Sequence, residues 1–150
     1  MATTDATKSP SNTFDSATPI FCVASVGASV EYYVNALGFK VDWDGPGFAS
    51  VSRGRCHIFL CEEGQGHPGA WTWIGVSDTD SLAREYGERG AKIRHPPTNY
   101  PWAYEMQVED PDGNVLRFGA DPKKGEPFGP FLDMHGRSWP TPEGSTIVGE

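Results

Sequence analysis

At 150 residues, 37% of them apolar, the chain is long enough for one domain with a real hydrophobic core. Twelve basic against twenty acidic residues leave a net charge of −8, which repels a nucleic-acid backbone and attracts a small cation. No apolar run approaches the ~18 residues of a membrane helix, and the N-terminus lacks the basic-then-apolar layout of a secretion signal, so neither membrane insertion nor export is expected.

Residues 1–17 are rich in Ala, Thr, Ser and Asp and are expected to form a disordered tail. The fold begins at Thr18, with Pro19 to Val26 as a strand. Val30, Tyr33, Val34 and Leu37 then fall at helical spacing, an amphipathic helix closed by Gly38. Short strands follow at Phe39–Asp44, Phe48–Ser52 and Cys56–Glu62, separated by Gly-containing turns. Residues 64–69, Gly-Gln-Gly-His-Pro-Gly, link this first module (18–63) to a second (70–120). There the order repeats: a strand Ala70–Val76, a helix capped by Ser77 or Asp78 and ended by Gly90, and a short strand Ala91–Arg94. A loop His95–Pro101, a strand Trp102–Glu109, the turn Asp110-Pro111-Asp112-Gly113-Asn114 and a strand Val115–Gly119 complete it. Residues 121–150 are rich in Pro and Gly, and Phe128, Phe131, Leu132, Met134 and Trp139 mark an irregular arm that docks somewhere, with a loose end from Thr141.

The repetition is close. Ser29 and Ser81, Gly38 and Gly90, and Lys40 and Lys92 each stand 52 positions apart, each lysine preceding a β-branched residue. Fixed-period self-similarity of this kind indicates a duplicated supersecondary unit, here β-α-β-β-β, and two such halves imply a pseudo-symmetric pair of sheets with a cleft. Cys22, Cys56 and Cys61, an odd number in apolar runs, read as reduced, buried thiols and hence as a reducing cytoplasm.

Strand alternation separates a helix-facing set from a cleft-facing set. Trp71 and Trp73 face the cleft, as do Thr18, Ile20 and Cys22, then His57, Phe59 and Cys61, and Val115, Arg117 and Gly119. Glu105, Gln107 and Glu109 share one face, with Trp102 and Tyr104 at the strand's entrance. Aromatic walls with carboxylates suit stacked flat rings and cations, through contacts worth about 0.5–2 kcal/mol each. Trp71 and Trp73 equally suit a subunit interface or a seat for the arm. Arg117 reads either as a clamp on a ligand anion or as an internal partner of Glu105, and Trp43 as the rim of an interface.

Pro19 to Val26, Tyr32-Tyr33, Leu37-Gly38-Phe39 and Asp110-Pro111-Asp112-Gly113-Asn114-Val115-Leu116-Arg117-Phe118 together resemble the vicinal oxygen chelate superfamily, which includes glyoxalases, extradiol dioxygenases and bleomycin-resistance proteins. The resemblance implies an α+β fold: two βαβββ modules forming a pseudo-symmetric curved mixed sheet. Arg53-Gly54, the loop Arg94-His95-Pro96-Pro97 before Trp102, and the final Asp-Pro-Asp-Gly turn are most similar to bleomycin-resistance proteins. Such proteins are homodimers whose ligand crevices lie between subunits and which act by sequestration, as an antibiotic-resistance function.

Enzymes of this superfamily hold a divalent metal at four strand positions, which the resemblance carries onto Thr18, Phe59, Trp71 and Arg117. None is a suitable donor, the arginine cation repels a metal, and a register shifted by two from Phe59, to His57 or Cys61, would still leave a site with one protein donor. No cofactor, metal ligand or catalytic residue is therefore assigned. His57, His67, His95 and His135, with Glu105 or Glu109, are the residues from which an atypical site would have to be drawn, and no paired spacing supports one. The GxGxxG match at 64–69 precedes a strand instead of a helix, and no Ser or Cys sits in a nucleophile motif. The expected function is metal-free binding of a planar or cationic small molecule, of the cationic glycopeptide antibiotic type, by His57, Phe59, Trp71, Trp73, Trp102, Tyr104, Glu105, Gln107 and Arg117 at a dimer interface. The alternative is a metal-dependent lyase, transferase or dioxygenase with an atypical site.

Overall fold

Each half of the chain forms a four-stranded mixed sheet carrying one helix. The computed structural model describes residues 12–142. The expected disorder of 1–11 and of the end beyond 142 lies outside those residues. The first sheet has strand order β1-β4-β3-β2, from β1 (Ile20–Cys22), β2 (Lys40–Gly45), β3 (Phe48–Arg53) and β4 (Cys56–Cys61). The second has order β5-β8-β7-β6, from β5 (Trp71–Gly75), β6 (Lys92–Asn99), β7 (Tyr104–Glu109) and β8 (Val115–Ala120). In both, the first strand pairs in parallel with the last and every other pairing is antiparallel.

Helix α1 (Val26–Asn35) begins earlier than its apolar spacing predicts, because Ser25 takes extended geometry and its hydroxyl accepts from the Ala28 amide at 3.2 Å. The strand expected to reach Val26 is correspondingly short. Helix α2 (Thr79–Arg89) matches expectation: Asp78 caps it, accepting from Ser81 N at 3.0 Å, and Gly90 ends it at φ 78°. Its counterpart Gly38 has φ 75°, so the repeat places the same left-handed glycine after both helices. Beyond Lys92 the two halves lose register, since β6 runs to Asn99 where a loop was expected. Prolines 96 and 97 are tolerated there because β6 is an edge strand with two irregularities in its pairing to β7. The arm adds a separate hairpin of β9 (Phe131–Leu132) and β10 (Ser138–Trp139).

Phe21, Val51, Ile58 and Leu60 of the first sheet and Met106, Val108, Leu116 and Phe118 of the second enter one core with Tyr33 and Tyr86 of the helices. The sheets share their inner sides, so their outer faces turn away from each other. Of the three cysteines, all free, only Cys61 is buried; Cys22 and Cys56 are half-buried. No helix among the described residues is long and apolar enough to cross a membrane.

The Asp110–Asn114 turn fastens the halves together. Tyr33 Oη donates to Asp110 at 2.9 Å, Ala24 N to Asp112 at 2.8 Å, and Asn114 Nδ2 to the Cys22 carbonyl at 3.3 Å. Across the other end, Arg53 forms a bidentate pair with Glu85 at 2.7 and 2.8 Å. The Arg53 guanidinium holds the Glu85 carboxyl below its usual range. A carboxyl depressed in the folded state stabilises the fold above its unfolded pKa and loses that contribution as pH falls through the folded value. The difference in Tm between the wild type and Glu85→Gln is therefore expected near neutral pH and closes below about pH 4; a difference undiminished at pH 3 in a scanning-fluorimetry series contradicts the pairing.

Candidate functional site

The outer face of the second sheet is organised by one buried carboxylate. Glu105, 1% exposed, accepts Arg117 Nε at 2.7 Å and Nη2 at 3.0 Å, Trp102 Nε1 at 2.6 Å and Trp73 Nε1 at 3.3 Å. Of the two roles open to Arg117, the structure places it in the internal pair. The cation is thereby spent within the protein, and Glu105 serves to hold two indoles and a guanidinium in position.

Trp73 remains half exposed although its ring lies across Gly75 of its own strand and Gly119 of the neighbouring β8. A Cβ on Gly119 would stand 2.8 Å from the indole Cζ2, so a side chain there would displace the ring, and one on Gly75 would stand 3.3 Å from Cζ3, a tight contact. Trp102 stacks on Tyr100 with centroids 4.7 Å apart and planes within 2°. Trp71 lies under the Arg94 guanidinium at 5.2 Å. Tyr104, at the strand end, donates to Asp80 at 2.6 Å while Lys123 Nζ sits 4.2 Å from its ring and 3.0 Å from Asp80. Trp73, Trp102 and Tyr104 line a pocket of about 540 Å³ with Asp78, Asp80, Asp121 and Lys123 on its rim.

His57 and Phe59 do not join this group. They lie on the outer face of the first sheet, where Phe59 packs against Trp43 and Phe48, with centroids 5.4–5.6 Å apart. Trp43 and Phe48 stack within 9°, so the tryptophan read as an interface rim belongs to an aromatic trio. The pairing slips between Val41 and Trp43, a bulge at Asp42 that sends two consecutive side chains to one face. Asp42 accepts from Ser50 and Ser52 at 3.0 and 2.7 Å and meets His57 Nδ1 at 3.2 Å. Asp42 escapes the sequence reading because the bulge breaks the alternation from which outward-facing residues are read, and Phe48 because nothing local marks it as Trp43's stacking partner.

The four positions carried over from metal-dependent relatives divide between the sheets. Thr18 precedes β1, Phe59 lies in the aromatic trio, Trp71 lies under Arg94, and Arg117 is bonded to Glu105. One hydroxyl without carboxylate, imidazole or thiolate does not fit a divalent ion. Nor do the residues considered for an atypical site meet: His57 bonds Asp42, Glu109 pairs with Lys92, and His95 contacts Thr98. Among the described residues no group of three or more His, Cys, Asp or Glu is placed to hold a metal.

A family model described as the Glyoxalase/Bleomycin resistance protein/Dioxygenase superfamily matches residues 14–118. The chain belongs to that superfamily. Its expected fold is borne out, with the curved mixed sheet present as two four-stranded sheets. Among solved structures of the superfamily's fold, the bleomycin-binding protein from bleomycin-producing Streptomyces verticillus, complexed with copper(II)-bleomycin, is 28% identical; the match covers 73% of this chain and 98% of that one at a TM-score of 0.64. TnmS3, an antibiotic binding protein from Streptomyces sp. CB03234, is 24% identical over 71% of this chain and 93% of its own, at a TM-score of 0.62. A glyoxalase/bleomycin resistance protein/dioxygenase from Nocardioides is 20% identical over 84% of this chain and 96% of its own, at the same TM-score of 0.62. No curated protein sequence matches. The superfamily match ends at Phe118, so the arm is an addition to it.

Residues 131–132 of the arm lie on the second sheet's outer face. Phe131 presents its ring to Trp102 at 6.2 Å and to Tyr100 at 6.1 Å, with the Arg117 guanidinium 5.4 Å above it. Gln107, assigned to the cleft, donates to the Leu132 carbonyl at 2.8 Å and accepts from Arg94. The sequence marks these aromatic residues as docking, but nothing local says where.

Proposed function

We propose that the chain is a metal-free binding protein that sequesters a planar, cationic small molecule of the bleomycin class. The crevice is built where the second sheet of one protomer meets the first sheet of its partner in a homodimer. Trp73 carries the reading: an indole laid flat by Gly75 and Gly119, held through Nε1 by a buried carboxylate and left half exposed, is a stacking surface whose ordering cost has been met in advance. The carboxylates of Asp78 and Asp121 around the adjoining pocket favour a cationic occupant. The stacked Trp43 and Phe48 on the other sheet supply a second wall only if two chains associate, because both outer faces of one chain turn outward. The likeness to a bleomycin-binding protein supports the choice of ligand class.

Titration with bleomycin, metal-free and copper(II)-loaded, is expected to quench tryptophan emission saturably, with calorimetry giving the same affinity. Trp73→Ala should weaken binding about 10-fold, and Gly119→Val, which displaces the indole while keeping it in the chain, by a similar factor. Absence of binding across bleomycin and a panel of other planar cationic antibiotics rejects the proposal, and a monomer in sedimentation at the concentrations used rejects its interfacial crevice.

A further inference from the structure

The segment Pro130–Asp133 is held in a manner that a separate molecule could share. Three side chains of the second module each take one of its main-chain carbonyls: Tyr100 Oη donates to Pro130 O at 2.8 Å, Gln107 Nε2 to Leu132 O at 2.8 Å, and Arg94 Nη2 to Asp133 O at 2.5 Å. Between the first two contacts, the Phe131 ring sits edge-on to Trp102 and Tyr100 beneath the Arg117 guanidinium. Among the described residues the segment adds no strand to either four-stranded sheet and has β10 as its one strand partner. What the face reads is therefore an aromatic ring flanked by amide carbonyls, with no side chain other than the ring engaged in these contacts.

The arm is held by two separate sets of contacts on either side of this point. Its base is fixed separately: Asn99 accepts Lys123 N at 2.8 Å and donates to the Lys123 and Glu126 carbonyls at 2.9 and 3.2 Å, while Gly129 N donates to Asn99 O at 2.9 Å. Its tip is self-contained, since the Asp133 carboxylate accepts from His135 N, Arg137 N and Trp139 Nε1, each at 2.8 Å. Phe131 and Leu132 are only half-buried, and Met134 and Trp139 are exposed at 67% and 54%. Lifting the hairpin costs two edge-on ring contacts, one cation–π contact and three hydrogen bonds that water can replace, whereas the Asn99 anchor is made by other residues.

We propose that the outer face of the second sheet is a recognition surface for peptidic ligands carrying an aromatic or heteroaromatic ring between amide carbonyls, and that residues 130–133 occupy it as a tethered stand-in which such a ligand displaces. The proposal deepens the binding function above and rests on it for the presence of an external ligand. It names the chemistry that ligand must offer and makes its apparent affinity the product of intrinsic affinity and the fraction of arm-open protein.

The test uses the full chain and a fluorescein-labelled synthetic peptide of residues 128–139. Phe131→Ala, which empties the ring site and leaves the Asn99 anchor intact, should bind the peptide at least about 10-fold more tightly than the wild type, because the tether no longer competes. The same peptide carrying Phe131→Ala should bind neither protein. In the wild-type chain, excess peptide should speed amide exchange in residues 130–139 and leave β7 unchanged. Absence of peptide binding to a Phe131→Ala chain with a native thermal transition overturns the proposal, as does binding that is indifferent to loss of the peptide's ring. Bleomycin separates the two readings. If it binds without displacing peptide or arm, the stand-in role falls and sequestration survives; if the peptide binds and no antibiotic does, the ligand assignment falls and the recognition surface survives.

Discussion

Glu105→Ala is expected to lower the stability of the fold by about 3 kcal/mol, the scale on which one partner of a buried ion pair is missed. Glu105 is 1% exposed and satisfies Arg117, Trp102 and Trp73 together, so its removal leaves a largely enclosed guanidinium and two indole N–H groups without acceptors. A guanidinium denaturation series would show the midpoint shift at nearly unchanged slope. The double variant Glu105→Ala/Arg117→Met should recover part of the loss, because the cost lies in the orphaned charge and not in the pair itself. A single variant within about 0.5 kcal/mol of the wild type would show that water reaches the site freely.

The second large effect is expected at Asp110. Its carboxylate, 3% exposed, accepts four bonds, from Asp112 N, Asn114 N, Asn114 Nδ2 and Tyr33 Oη, each at 2.9 Å. Asp110→Ala abandons the Tyr33 hydroxyl inside the core and unravels the turn that joins the halves, at a cost of about 3 kcal/mol. Tyr33→Phe, which removes one donor and leaves the turn closed, should cost only about 1 kcal/mol. Equal losses in the two variants, measured by the same denaturation series, would mean that the turn itself contributes nothing.

These positions show which information is local and therefore readable. Gly38, Gly90 and the Asp-Pro-Asp-Gly-Asn turn announce themselves because each fixes the backbone at its own position, and the duplication follows from their spacing. The face shared by Trp73, Arg117, Glu105 and Gln107 follows from alternation along strands that stay regular. Alternation fails where a strand is not regular: the bulge at Asp42 turns Trp43 toward Phe48, and the edge position of β6 lets Pro96 and Pro97 run through a strand that composition marks as a loop. Within one chain His57 and Phe59 stand apart from the tryptophans of the second module for a different reason. Two similar halves imply a cleft, but which side of each sheet the halves share is decided by the packing of Tyr33, Tyr86 and their neighbours. The seat of the arm is less accessible still, since Gln107 and the Leu132 carbonyl are 25 residues apart and neither residue type specifies the other.

The common core of the two sheets has a consequence for mass action. A ligand gripped by the second sheet of one protomer and the first sheet of its partner would belong to neither chain, and would act as cement between them. Occupancy and association would then be a single linked equilibrium: raising the ligand would tighten the dimer, diluting the protein would release the ligand, and the two dependences would have to agree by thermodynamic reciprocity.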